Sequence, residues 1–479
     1  MVCRSLRTAR ETGRLCPSLP AKRSSALLSG TARISLAILF LVVVVTAAGC
    51  NNPELIRDLR DLPQDHFAYL PGVFGDLNRP LADRGWQEEK KGQYLQNLFL
   101  PWHQEMPQYT AREVQEAWLP FVPDPGDRSR PGRRRRSLIR KAAANAAMRS
   151  YPNSSWKGIT TAAVQLRHLP TAAPVVSDSS RRVDKNHPLD KLQVSSVPPG
   201  TPVYVSHRSR DGRWLLVETG FVRGWTTRQG VAAVSPDFRQ RWEQGPYAAI
   251  VRDKTPLAVS GGRFLYRVSP GALFPVASGR GETLKVFVPV RGTRGRAALR
   301  TAVVSGTAAA PLPLPLTPAN LAAVANELIR EPYGWGGMYG RRDCSAMIRD
   351  LFTPFGIWLP RHSADQAREG GHYVGLAGLS TADKKRLITD RGVPYLTLLW
   401  LRGHIMLYIG SRDGEPLVFH NFWSVRTMSA SGRPGRKIVG RAAITTLYPG
   451  REFNAAADPE GPYLAYLQGM ILLGPPADN

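Results

Sequence analysis

The sequence predicts an α+β fold built from several modules, and three observations carry that prediction. Between Ile159 and about Ser305, short strand-like runs alternate with turn signals. From Pro318 the apolar period lengthens to that of a helix, and from His404 it returns to strand, turn and strand. A chain of 479 residues has room for three or four such modules. Hydrophobic residues at 43% and charged residues at 21% are ordinary for globular protein and exclude wholesale disorder. The formal net charge of +27 is not ordinary. It admits nucleic acid, anionic lipid or acidic polymer as partner and does not choose among them.

The N-terminus narrows the choice. A basic lead (Arg4, Arg7, Arg10, Arg14, Lys22, Arg23, Arg33) precedes an apolar run from Ile34 to Ala48, and Gly49-Cys50 follow. The run is short for a membrane span, which takes roughly 20 residues, and suits a signal-peptide core. Small residues directly before a cysteine resemble the lipobox of bacterial lipoproteins, whose leader is cut before the cysteine that carries the lipid. By that resemblance residues 1–49 are the leader, Cys50 is the lipidation site, and Asn51 favours the outer membrane. A plain signal peptide or a tilted anchor helix is the alternative. With Cys3 and Cys16 leaving and Cys50 acylated, Cys344 remains as a single thiol without a disulfide partner. Without the leader the formal charge is still about +21, so the basicity belongs to the working protein.

Residues 50–150 read as a small, mainly helical region. Thr110-Ala111-Arg112-Glu113 is a capping box opening a helix through Val114, Ala117 and Trp118. Residues 128–141, RSRPGRRRRSLIRK, carry many basic side chains and no acidic one. No nucleic-acid-binding fold or interleaved aromatics surround them, so a solvated linker is expected, with anionic lipid or wall polymer as the alternative contact.

In residues 151–240, TPVYVSHRS, the turn Arg210-Asp211-Gly212 and RWLLVET form a β-hairpin pattern, followed by GFVRGWTT. Gly200 to Val203, Asp211 to Trp214 and Gly224-Trp225 resemble the recurring pattern of a bacterial SH3 domain, and Leu166 to Thr171 resemble its opening strand in peptidase-linked versions. Residues 241–310, with Asp253 to Leu257 and LKVFVPV, read as a second, more diverged SH3-like barrel. Such barrels bind wall peptides or shape a cleft; Trp214 and Trp225 are expected in the core or at its rim.

PLPLPLTP, Pro311 to Pro318, reads as a stiff, extended linker. Thr317 caps a helix with Pro318 at its first position, and Leu321, Val324, Ala325, Leu328 and Ile329 give its buried stripe. That helix leads into a glycine-rich loop (Gly334, Gly336, Gly337, Gly340), then Cys344, then Ile348, Leu351 and Phe352 at helical spacing. A loop delivering a cysteine to the first turn of a helix favours the thiolate through the helix dipole. The other reading is a small, buried, apolar cysteine.

A nucleophilic cysteine needs a base, and the base needs an orienting partner. His404 opens the strand HIMLYIG; Asp413-Gly414 turns; EPLVFHNFW returns with His420. A symmetric two-residue turn would pair His420 with Leu407 and put the histidines on opposite faces. A bulge or an odd connection restores a common face, so the constellation requires one. Taken singly, each histidine is as well read as structural. A zinc site is short of ligands, and no HExxH or CxxC spacing occurs.

YGWGG, RDCSA, LPRHSADQ, GHIMLYIG and VFH, in this order, resemble the NlpC family of papain-like cell-wall peptidases. Those closest in pattern are the γ-D-glutamyl-L-diamino acid endopeptidases with paired bacterial SH3 domains, some of which carry a helical stabilising segment at the N-terminus. The resemblance implies a papain-like domain over 311–479 with Cys344 as nucleophile, His404 as general base and acid, and His420 as the orienting third residue. It implies Tyr333 lining the site near the thiol, and Asp343, Ser345 and Ser363 at positions that bind the substrate's free N-terminal amine. Where such peptidases often have Asp-Ser, this chain has His362-Ser363. Asp343, or a residue of a barrel, then carries the ammonium recognition, and the preference for a free N-terminal L-Ala depends on it.

The reading is thus a periplasmic, outer-membrane lipoprotein hydrolysing the amide between γ-D-Glu and a diamino acid, meso-diaminopimelate, in stem peptides or muropeptides. No metal or organic cofactor, no nucleic acid and a monomer are expected. The alternatives are a catalytically inactive wall-binding SH3 lipoprotein, and an acyltransferase or amidase on the same scaffold.

Overall fold

The computed structural model describes residues 55–121, 133–176, 189–259, 261–279, 281–429, 431–453 and 461–475. The expected leader, Cys50 as lipid site, and residues 128–132 of the basic stretch lie outside the described residues.

Capping side chains start the N-terminal helices. After the short helix α1 (Arg57–Asp61), α2 (Arg84–His103) begins where Asp83 accepts from the Trp86 amide. α3 (Ala111–Glu116) has the reciprocal Thr110–Glu113 box anticipated from sequence. α4 (Arg133–Ala146) corrects the expected linker. Ile139, Ala142 and Ala146 fall on one helical face and are buried against Val114, Trp118, Leu216 and Trp225. The basic run thus belongs to an amphipathic helix whose apolar stripe packs on the first barrel.

That barrel is a seven-stranded sheet in the order β3-β2-β6-β5-β4-β1-β7. Its strands are β1 (Trp156–Thr160), β2 (Val164–Arg167), β3 (Gln193–Val197), β4 (Pro202–Arg208), β5 (Trp214–Glu218), β6 (Arg223–Thr227) and β7 (Val231–Ala233). The anticipated hairpin is β4–β5, and Trp225 is fully buried while Trp214 sits at the core's edge. After α5 (Pro236–Glu243), a second seven-stranded sheet has the order β10-β9-β13-β12-β11-β8-β14. It comprises β8 (Tyr247–Ile250), β9 (Thr255–Val259), β10 (Phe264–Val268), β11 (Leu273–Ser278), β12 (Thr283–Arg291), β13 (Ala297–Ser305) and β14 (Ala309–Pro311). Tyr94, Leu98, Phe99 and Trp102 of α2 enter its core.

The proline run is packed, not a free spacer. Leu316 is buried, its amide donates to the Gln87 side chain and its carbonyl accepts from Leu81. α6 (Pro318–Leu328) then starts at the Thr317 cap with Pro318 in its first turn, as anticipated. α6 and α7 (Cys344–Phe352) lie against a six-stranded antiparallel sheet. Its order is β15 (His372–Gly375), β20 (Gly469–Leu472), β16 (Thr397–Leu401), β17 (His404–Arg412), β18 (Glu415–Met428), β19 (Pro434–Thr446). Leu321, Ala325 and Leu328 of α6 and Met347, Ile348 and Leu351 of α7 bury together with Ile405, Leu407, Ile409 and Phe419. Each such aliphatic side chain contributes about 1.5–3 kcal/mol by burial, which fixes α7, and with it Cys344, against β17. α8 (Ser363–Glu369), α9 (Thr381–Arg391) and α10 (Pro462–Tyr466) complete the domain.

Candidate active site

The cysteine loop is shaped by the first barrel. Gly336 and Gly337 have φ of +56° and +77°, and a Cβ on either would lie under 3 Å from Gln193 or Ser196 of β3. The Gln193 side chain donates to the Gly336 carbonyl at 2.9 Å. The turn closes on Asp343, whose carboxylate accepts from the Gly336 and Ala346 amides at 3.0 Å each, capping α7 so that Cys344 is its first residue.

The same carboxylate is gripped by Arg361, from Nη1 at 3.0 Å and Nη2 at 2.7 Å. Arg361 also donates from Nη1 to Ser345 Oγ at 2.9 Å and from Nε to Ser195 Oγ of β3 at 2.8 Å. Burial works against the Asp343 charge, but Arg361 and the two amides outweigh it and hold the carboxyl below its ordinary value. Asp343 and Ser345, the positions expected to receive the substrate's ammonium, thus also pair with Arg361. Arg361, within LPRHS, was not anticipated from sequence. Ser363 is half-buried in the first turn of α8, two residues beyond Arg361.

Cys344 is 7% exposed. Burial, and next the nearby Asp343 charge, push its thiol up to about 12, while amide hydrogen bonds from Ile405 and Ser345 oppose the shift. At this helix start, burial thus opposes the thiolate that the dipole favours.

The Ile405 amide at the sulfur belongs to the residue after His404, which opens β17. The connection the histidines require is present. Asp413 and Gly414 form the two-residue turn with positive φ at both, pairing Arg412 with Glu415. Register then shifts between Tyr408 and Gly410, with Ile409 as the extra residue, so Leu407 faces Phe419. Continuing that register sets His420 against Met406, on the same face as His404. His404 Nε2 and His420 Nδ1 are 2.8 Å apart, and His420 Nε2 is 3.0 Å from Thr445 Oγ1. Burial pushes His404 down to about 4 and His420 well below its ordinary value.

Tyr333 is buried beside these groups, its phenol held well above its ordinary value by burial, then by Asp343 and Cys344. Tyr463 of α10 was not anticipated from sequence: its ring centre lies 5.6 Å from those of both His404 and His420. The structure thus brings Cys344, His404, His420 and Tyr333 together, and adds Thr445 and Tyr463. Among the described residues no group of three or more His, Cys, Asp or Glu side chains could hold a metal ion.

Sequence models of known families match four stretches. They are the N-terminal NLPC_P60 stabilising domain over residues 33–151, an SH3 domain of SH3b1 type over 178–227, an SH3 domain of SH3b2 type over 235–279, and the NlpC/P60 family over 330–431, which takes in Cys344, His404 and His420. The stretch that carries Cys344, His404 and His420 thus matches the NlpC/P60 family. Among solved structures, this chain is similar to an NlpC/P60 endopeptidase from Photobacterium damselae subsp. piscicida, with 24% identity and a TM-score of 0.73 over 86% of this chain and 97% of that one. An NlpC/P60 family protein from Bacillus cereus ATCC 10987 is 17% identical over 67% of this chain and all of its own, with a TM-score of 0.45. No curated protein sequence matches. The two barrels, the helical N-terminal region and the C-terminal domain thus correspond to the two SH3b matches, the stabilising-domain match and the NlpC/P60 match.

Proposed function

We propose that this protein is a cysteine endopeptidase of peptidoglycan that cleaves the amide between γ-D-Glu and meso-diaminopimelate. The observation carrying the reading is the chain from His404 Nε2 through His420 to Thr445, standing beside a cysteine at a helix start. Thr445 Oγ1 donates to the Thr446 carbonyl at 2.7 Å, so toward His420 it accepts, and Nε2 of His420 carries the proton. His420 Nδ1 is then an acceptor, and His404 donates to it from Nε2. That leaves Nδ1 of His404 as the basic lone pair.

Attack begins from the neutral pair. As the Cys344 sulfur bonds to the carbonyl carbon, its proton passes to His404, and the first-turn amides of α7 receive the developing oxyanion. His404 returns the proton to the leaving amine as the C–N bond breaks. Water, deprotonated by His404, then cleaves the thioester and regenerates the thiol.

The match of residues 330–431 to the NlpC/P60 family, together with matches to two SH3b domains, supports peptidoglycan as the polymer acted on. The leader-like pattern of residues 1–49 and the lipobox-like Cys50 support placing the enzyme in the periplasm, tethered by lipid to the outer membrane. The test is release of diaminopimelate from L-Ala-γ-D-Glu-meso-diaminopimelate: the wild-type chain cleaves it and Cys344→Ala does not. Equal turnover by the variant refutes the reading.

A further inference from the structure

A cleft of about 470 Å³ opens beside the imidazole pair. Tyr463, in ring contact with both histidines, forms one wall. Leu401, the cross-strand partner of His404, and Arg402 form the next. The third comes from β18 and β19, with Arg426 and Arg436. These two arginines are direct cross-strand partners. Arg402 adds a third guanidinium to the same space. Among the described residues lining the cleft there is no carboxylate. All three arginines are exposed at its rim.

The chemistry of the reaction says which half of a substrate meets this cleft. His404 must hand its proton to the leaving nitrogen, so the leaving amino acid lies on the His404 flank. The acyl half lies toward Cys344, whose sulfur takes the carbonyl carbon. A leaving diamino acid such as diaminopimelate bears free carboxylates, and a guanidinium fork matches a carboxylate in geometry and charge.

Resting on the peptidase reading above, we infer that Arg402 and Arg436 form a leaving-side subsite that binds the carboxylates of the diamino acid and selects substrates that carry them. Tyr463 is the shared wall between this subsite and the imidazole pair. A stem whose diamino acid is amidated, or is lysine and so lacks the second carboxylate, is a poorer substrate.

The experiment compares L-Ala-γ-D-Glu-meso-diaminopimelate with the same peptide amidated at both diaminopimelate carboxyls, using the full chain, Arg402→Gln/Arg436→Gln, and Arg402→Lys/Arg436→Lys. The expected result is kcat/KM about tenfold or more lower for the amidated peptide with the wild type, mostly through KM. The glutamine variant loses that preference while cleaving the amidated peptide as the wild type does, and the lysine variant regains part of it. Equal cleavage of both peptides by the wild type, or a preference that survives in the glutamine variant, overturns the subsite and leaves the peptidase reading standing. If the wild type cleaves neither peptide, the peptidase reading fails. Calorimetric titration of Cys344→Ala with meso-diaminopimelate then decides the cleft separately: affinity weakened about tenfold by the two glutamines upholds it, and no binding, or binding indifferent to them, overturns it.

Discussion

Thr445 Oγ1 lies 3.0 Å from His420 Nε2 while donating its own proton to the Thr446 carbonyl, and this single acceptor sets the tautomer of both imidazoles. Thr445→Val removes it. One hydrogen bond of this kind is worth about 1 kcal/mol, so kcat should fall about fivefold with KM little changed. His404→Ala removes the base itself and should cost about 10²–10⁴. Steady-state kinetics on the tripeptide check both, and equal losses for the two variants contradict the relay.

The pH profile follows from the neutral resting pair. Burial presses His404 down to about 4 and Cys344 up to about 12. Activity should fall only as pH drops through about 4, where His404 gains a proton and stops accepting one. It should not show the acid limb near neutrality expected of an unperturbed imidazole. Alkylation of Cys344 by iodoacetamide, with Cys344→Ala subtracted as background, should be slow at neutral pH and quicken about tenfold per pH unit on the alkaline side. A fast, pH-independent reaction near neutrality means a resting thiolate and contradicts this electrostatics.

Stability carries the same sign. Burial depresses His66 to about 3 and His168 and His404 to about 4. Unfolded, they bind protons near their ordinary value, so the unfolded chain holds more protons between there and the folded values. The stability these neutral imidazoles contribute is complete above about pH 6.5 and is lost as pH falls toward 4. Thermal melts should show Tm dropping across that window; a flat Tm rules the effect out.

The substrate's N-terminus should matter little. Asp343 is paired with Arg361, and the neighbour of Arg361 in the LPRHS stretch, His362, carries no carboxylate. N-acetylation of L-Ala in the tripeptide should change kcat/KM by no more than a factor of a few. Loss of all cleavage on acetylation requires an ammonium site elsewhere.

Gly337→Ala puts a methyl 2.6 Å from the Ser196 amide nitrogen at φ +77°. The loop must withdraw from β3, with a stability cost of about 1 kcal/mol or more and a loss of activity. Melting temperature and turnover should fall together; an unchanged enzyme would show the contact to be idle.

Much of this was legible in the sequence, for physical reasons. Glycine and tryptophan at fixed offsets mark small barrels, Thr317-Pro318 marks a helix start, and cysteine after a glycine run marks a nucleophile's loop. The requirement for an extra residue between His404 and His420 followed from strand periodicity, although Ile409 could not be named as that residue, because nothing local distinguishes it from its neighbours. α4 was hidden by its arginines, whose charge masks the Ile139-Ala142-Ala146 stripe. Arg361, Thr445 and Tyr463 act through contacts made only on folding, with partners far away in the chain, so no spacing announces them.

The glycine turn ahead of Cys344 rests on a strand of a different module, where Gln193 donates to the Gly336 carbonyl and Ser195 accepts from Arg361. The first barrel is therefore part of the wall of the reaction chamber, whatever else it binds. A shortened enzyme beginning at Pro311 would keep every reacting atom and lose the clasp that sets them, so the smallest working unit of this protein extends upstream into its β-rich half.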